Sequence, residues 1–142
     1  MAGLIQSLPE VFSFECELPI RITDLNYGNH VGNDRVLSLL HEARVQFLQH
    51  HGFSELDCAG TGLIMKDVII EFKKEIKYGD TLMAYVAASN FTKVSFDIFY
   101  RLIKKQENTL AVVAKTGMLC FDYRAGKITA VPSPVREKLD NK

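Results

Sequence analysis

The sequence has no tryptophan, no excess of charge of either sign and no apolar run long enough for a membrane-spanning helix. Its 17 Lys and Arg offset 17 Asp and Glu, so no net field draws it to phosphate backbones or anionic lipid. That argues against nucleic-acid partners and against membrane insertion. Cysteine is scarce: Cys16, Cys58 and Cys120 form no C-x-x-C pair, and an odd count leaves one unpaired in any disulfide scheme. A reducing, cytoplasmic location fits this usage best and is expected. The first ten residues lack both the basic and the apolar part of an export signal. What the sequence does have is 142 residues, 47% of them apolar. A chain of that size buries roughly two thirds of its unfolded surface without metal or disulfide staples, and residues 1–142 read as a single domain.

Over residues 12–22 every even position is apolar (Phe12, Phe14, Cys16, Leu18, Ile20, Ile22), the period of a strand with one buried face. Pro19 places that part of the strand at an edge or a bend. Residues 24–33, DLNYGNHVGN, form a polar loop. Over residues 34–51 the period changes: at about 100° per residue, Val36, Leu39, Leu40, Ala43 and Phe47 share one arc of a helix and Leu37 and Leu48 widen it. Asn33 or Asp34 is the expected N-cap and Gly52 the residue past the helix end. Beyond Gly60 and Gly62, alternating runs at 68–76, 82–88, 94–102 and 110–120, separated by turn residues, predict an antiparallel meander. Ser133-Pro134 starts a short final helix. A long apolar helix and long strands are both satisfied when a curved sheet wraps the helix. The sheet's other face carries Ile69, Met83, Phe99, Val113, Leu119 and Phe121, for which a homodimer or homotetramer is the expected cover.

Chemistry is expected where the polar loop enters the helix, because first-turn amides are unpaired donors with a positive partial charge. Such an end stabilises an oxyanion. The residues leading into it supply a carboxylate, several amides and an imidazole, a combination suited to acyl transfer.

The stretch RITDLNYGNHVGN, followed by HEAR in the helix, resembles the hotdog-fold acyl-CoA thioesterases of the 4-hydroxybenzoyl-CoA thioesterase type. Arg21, Asp24, His30, Val31, Asn33, Glu42 and Arg44 match the family pattern by spacing, as does the turn Tyr78-Gly79-Asp80. The resemblance implies an α+β hotdog fold, a long central helix wrapped by a curved antiparallel sheet of five or six strands. It also implies hydrolysis of an acyl-CoA or related acyl thioester. Asn26 stands where the family usually has its catalytic carboxylate, and an amide takes no proton at neutral pH.

The catalytic candidates are therefore Asp24, Asn26, His30 and Glu42. Asp24 either removes a proton from water or ties down the loop. His30 suits general-base work, histidine's ordinary pKa being near ~6.5, or else orders the loop. Glu42 acts in catalysis or bonds to neighbours on its helix face, Ser38 and Gln46. Asn26 orients water or binds the thioester oxygen. Gly28, Asn29, Asn33 and Ser95 are the substrate-binding candidates, and Lys73, Lys74, Lys77, Lys93 and Arg101 are available to coenzyme A phosphates. No metal site is expected, since Val45 stands where an H-E-x-x-H helix needs its second histidine. Coenzyme A enters as part of the substrate, with no separate cofactor. The D-x-N segment before His30 also looks like that of hotdog enoyl-CoA hydratases, and a non-catalytic acyl-thioester binder is the third reading.

Overall fold

A computed structural model of the chain describes residues 3–141. Strand β1 (Phe14–Pro19) precedes helix α1 (Asn33–His50), and β2 (Gly62–Phe72), β3 (Thr81–Ser89), β4 (Ser95–Lys104), β5 (Thr109–Asp122), the short β6 (Lys127–Ile128) and helix α2 (Ser133–Leu139) follow. One 6-stranded sheet runs in the order β1-β3-β4-β5-β2, with β6 on β5, and every pairing is antiparallel. Its inner face packs on α1: Leu40, Ala43, Phe47 and Leu48 of the helix share a core with Val86, Ile98, Tyr100, Ala114 and Met118 of the strands. This is the expected α+β hotdog arrangement.

The expected meander holds only for β3, β4 and β5. Strand β2 pairs with β5 at one edge, while β3 lies between β1 and β4, so residues 73–80 carry the chain from one side of the sheet to the other. The turn at Tyr78-Gly79-Asp80 is present, closed by the Lys77 amide donating to Asp80 Oδ2 at 2.7 Å. A turn signal marks a reversal of the chain and leaves open which strand the next run will meet. Strand β2 also starts earlier than its alternation suggests, because a bulge between Met65 and Asp67 breaks the period. The first strand is shorter than its pattern: the chain leaves the ladder after Pro19, and Ile22–Asp24 forms a 3-10 turn.

Helix α1 buries Val36, Leu39, Leu40, Ala43, Arg44, Phe47 and Leu48. Leu37, expected on the apolar arc, is 41% exposed, and the charged Arg44 is buried instead. The N-cap is Gly32, with Asn33 the first helical residue, so neither Asn33 nor Asp34 caps the helix with its side chain. Likewise Pro132 caps α2 and Ser133 is already helical. The sheet's outer face is partly covered from within. A 3-10 turn at Leu4–Ser7 brings Leu4 onto Phe99 and Val113, with Leu8, Phe12 and Leu110 packed around them. The Leu4 amide donates to Glu71 Oε2 at 2.8 Å, pinning that turn to β2.

Candidate active site

The polar loop is built by its own backbone. Asp24 Oδ2 accepts the Arg21 amide at 2.9 Å, closing the 3-10 turn. The Asn26 amide donates to His30 O at 2.9 Å and the Asn29 amide to Asn26 O at 3.2 Å, so residues 26–30 double back tightly. Asn29 takes φ +63°, the left-handed conformation that asparagine tolerates. Leu25 bridges Val31, His30 bridges Lys77, and the Val31 amide donates to Ile76 O at 2.8 Å. The loop is thus stitched to the segment that crosses the sheet.

At the start of α1 the amides of Arg35 and Val36 are spent on Gly32 O at 3.0 and 3.3 Å. Those of Asn33 and Asp34 have no hydrogen-bond partner among the described residues, and Gly32 has no side chain to cap them. These two donors carry the helix's positive end. Asn26 adds a third: its Oδ1 is committed to the Gly28 amide at 2.9 Å, which turns its Nδ2 toward Gly32, 3.6 Å from where a Cβ there would sit. An amide so oriented offers protons and accepts none.

His30 lines a cleft of about 290 Å³ with Asn33, Val36, Phe72, Glu75 and Ile76. Its side chain is 37% exposed and Nε2 lies 4.0 Å from Glu75 Oε1. Gly28 is what lets the ring lie there, since a Cβ at that position would stand 2.9 Å from Nε2. Glu75 carried no signal in the sequence; it arrives through the bridge between His30 and Lys77.

Asp24 and Glu42 lie elsewhere. With Arg21, Ser38, Leu39 and Gln46 they line a second cleft of about 270 Å³. Asp24, its side chain 14% exposed, faces Arg35 Nε at 3.9 Å through Oδ1, and Glu42 Oε2 accepts from Gln46 Nε2 at 2.7 Å. Ser95 is buried, 2.7 Å from Thr92 Oγ1, at the end of β4 opposite Lys104. Among the basic candidates, Lys73 and Lys74 line the His30 cleft, and with Lys77 and Lys104 they continue into a further cleft of about 520 Å³. Arg101 instead stacks over Phe12 and Tyr85, 4.7 and 5.1 Å from the ring centroids. Lys93 is exposed and lies in neither of these clefts.

Burial pushes the Cys58 thiol up to about 12 and, with Glu42 contributing, that of Cys16 to about 11. Neither is a thiolate nucleophile at neutral pH. Among the described residues no group of three or more His, Cys, Asp or Glu is placed to hold a metal ion, and no helix is long and apolar enough to cross a membrane.

No curated protein shows significant sequence similarity to the chain. Solved structures do share its fold. The 1,4-dihydroxy-2-naphthoyl-CoA thioesterase from Synechocystis superposes with a TM-score of 0.80 at 20% identity, covering 88% of this chain and 93% of its own. A hypothetical protein from Aquifex aeolicus gives 0.81 at 22% identity, over 89% and 99% of the two chains. A thioesterase from Thermus thermophilus, complexed with coenzyme A and zinc, gives 0.78 at 18%, over 90% and 98%. The sequence model of the thioesterase-like superfamily matches residues 20–139. Because that match runs from Ile20, ahead of the polar loop, to Leu139, the last residue of α2, it takes in the loop, the helix and nearly all of the sheet, and the chain belongs to the thioesterase-like superfamily.

Proposed function

We propose that the protein hydrolyses acyl-CoA thioesters in the His30 cleft. One observation carries the reading: the cleft joins an imidazole, backed by Glu75, to the uncapped amino end of α1. In this mechanism the Asn33 and Asp34 amides, with Asn26 Nδ2, hold the thioester oxygen and the negative charge that develops on it. His30 takes a proton from water as the water oxygen bonds to the carbonyl carbon. Collapse of the adduct breaks the C–S bond, and the sulfur leaves as a thiolate that recovers the proton from His30. Water and thioester become acid and thiol, with no cofactor besides the coenzyme A portion of the substrate.

Asp24 is assigned to the loop rather than to the chemistry, since its carboxylate is engaged by the Arg21 amide and lies in the other cleft. Glu42, bonded to Gln46, is left outside the reaction for the same reason. Lys73, Lys74 and Lys77 are placed to meet coenzyme A phosphates at the rim. The test is release of free thiol from a panel of acyl-CoAs by the wild type, His30→Ala and Asp24→Asn. Thiol release that falls in His30→Ala and persists in Asp24→Asn supports the assignment; the reverse pattern moves the base to Asp24. A change in enoyl absorbance without thiol release identifies a hydratase, and neither signal a binder.

The working form we infer is a homodimer joined along β2. This 11-residue edge strand exposes Met65, Ile69 and Phe72 at 41, 47 and 49%, a hazard for uncontrolled pairing unless a second copy covers it. The Leu4–Ser7 turn already occupies part of the outer face, which favours two copies over four. Sedimentation equilibrium gives the mass, and Ile69→Lys is expected to yield monomers. The three unbonded cysteines suit a reducing, cytoplasmic setting.

A further inference from the structure

Beneath the middle of α1 lies a polar group that the hydrolysis above does not use. The Arg44 side chain is 7% exposed. Its Nη1 donates to the Tyr100 hydroxyl at 3.1 Å and its Nε to Glu55 Oε1 at 3.4 Å. The same Glu55 oxygen lies 2.9 Å from His41 Nε2. Tyr100, fully buried, places its hydroxyl 2.7 Å from Thr116 Oγ1.

The Tyr100 oxygen accepts from Arg44, and either hydroxyl of the Tyr100–Thr116 pair can donate to the other, so one of the two hydroxyl protons is left uncommitted. Arg44 Nη2 likewise makes no hydrogen bond among the described residues. Thr116 and Arg44 line a cleft of about 230 Å³ whose walls include Leu37, Leu40 and Met65, with His41 beside them. A buried hydroxyl proton is costly to leave unpaired, and Arg44 Nη2, which is not fully enclosed, adds a donor in the same cleft. An occupant that fits has a hydrocarbon body and an oxygen acceptor at its tip. Because Glu55 already balances Arg44, a neutral oxygen satisfies the donors without burying a second anion.

At a rise of about 1.5 Å per residue, His41 lies about 12 Å along α1 from Asn33. A medium-length acyl group whose thioester sits at the helix start spans that distance. We propose that the cleft between α1 and β2 is an acyl-recognition subsite for acyl-CoAs bearing a neutral hydroxyl or carbonyl oxygen near the far end of the acyl group, with Thr116 and Arg44 as its donors. The inference rests on the thioesterase reading of the His30 cleft.

The test uses binding, so that it does not depend on turnover. Calorimetry on the intact protein compares the non-hydrolysable thioethers S-octyl-CoA and its ω-hydroxylated counterpart. The hydroxylated analogue is expected to bind about tenfold tighter, the equivalent of one well-made hydrogen bond. The preference is expected to vanish in Thr116→Val, and in Leu37→Trp, which fills the cleft from an exposed position and spares the core. Equal binding of the two analogues, binding of neither, or a preference that survives both variants overturns the subsite. A preference that is intact while no acyl-CoA releases thiol overturns the hydrolysis instead.

Discussion

His30 Nε2 faces Glu75 Oε1 at 4.0 Å because the antiparallel bridge between His30 and Lys77 ties the polar loop to the segment that crosses the sheet. Neither residue is near the other in sequence, and the pair exists only where that crossing passes the start of α1. A carboxylate beside an imidazole helps to orient the ring. His30→Ala is expected to lower kcat for acyl-CoA at least about 100-fold, within the range for a lost general base. Glu75→Gln keeps the shape of the pair and removes its charge, and is expected to cost about tenfold in kcat with little change in KM. Steady-state thiol release measures both; a Glu75→Gln enzyme with wild-type kcat would remove Glu75 from the site.

Gly28→Ala separates activity from stability. The new Cβ would stand 2.9 Å from His30 Nε2, so the ring must turn away from its present position. Gly28 does not have a positive φ, so alanine is compatible with the backbone and costs no folding stability. We expect kcat to drop severalfold while the urea midpoint holds or rises. Unchanged kcat would mean that the ring's present orientation is not the working one.

Tyr100→Phe removes one hydroxyl from the buried chain that runs from Arg44 to Thr116. Arg44 Nη1 is left without its acceptor, and the expected cost is about 1–3 kcal/mol in urea unfolding. Burial pushes the Tyr100 pKa up, so the phenol keeps its proton throughout the neutral range and this loss should not vary between about pH 6 and 9. A loss that grew with pH would show that the wild-type phenol ionises.

Stability should fall on mild acidification because of His51. Burial first, and then the neighbouring charges of His50 and Lys138, hold its pKa below the ordinary histidine value, and Nε2 is enclosed with no hydrogen-bond partner among the described residues. The folded state therefore resists a proton that the unfolded chain accepts. The contribution is fully present above the unfolded pKa of about 6.5 and is lost as pH falls from there toward the folded value. Urea unfolding at about pH 8 and about pH 5.5, either side of that value, checks the sign, and His51→Gln should flatten the dependence. A His51→Gln protein with the wild-type slope would assign the effect to other groups.

Much of the architecture could be read from one-dimensional pattern. The period of two over 82–88 and 110–120 appears as β3 and β5, and the helical period over 34–51 as α1, because both report how side chains alternate about their own backbone. The polar loop leading into α1 was likewise visible as a loop. Less visible was which of its residues share a space. Asp24 and Asn26 sit two positions apart and were both catalytic candidates, yet the 3-10 turn at Ile22–Asp24 places Asp24 in the cleft with Glu42. The burial of Arg44 is announced by no local pattern; Glu55, Tyr100 and Thr116, all from other elements, make it tolerable.

By itself the sequence determined the elements, the helix face that must be buried apart from Leu37 and Arg44, and the polar loop beside free helix amides. Those properties depend on residues within a turn or two of one another. The tertiary structure alone decided that β2 closes the far edge beside β5, that Glu75 meets His30, and that a row of donors ends in a cleft under α1. Each of these joins residues whose separation along the chain carries no information about their distance in space, and sheet pairing is the step that brings them together.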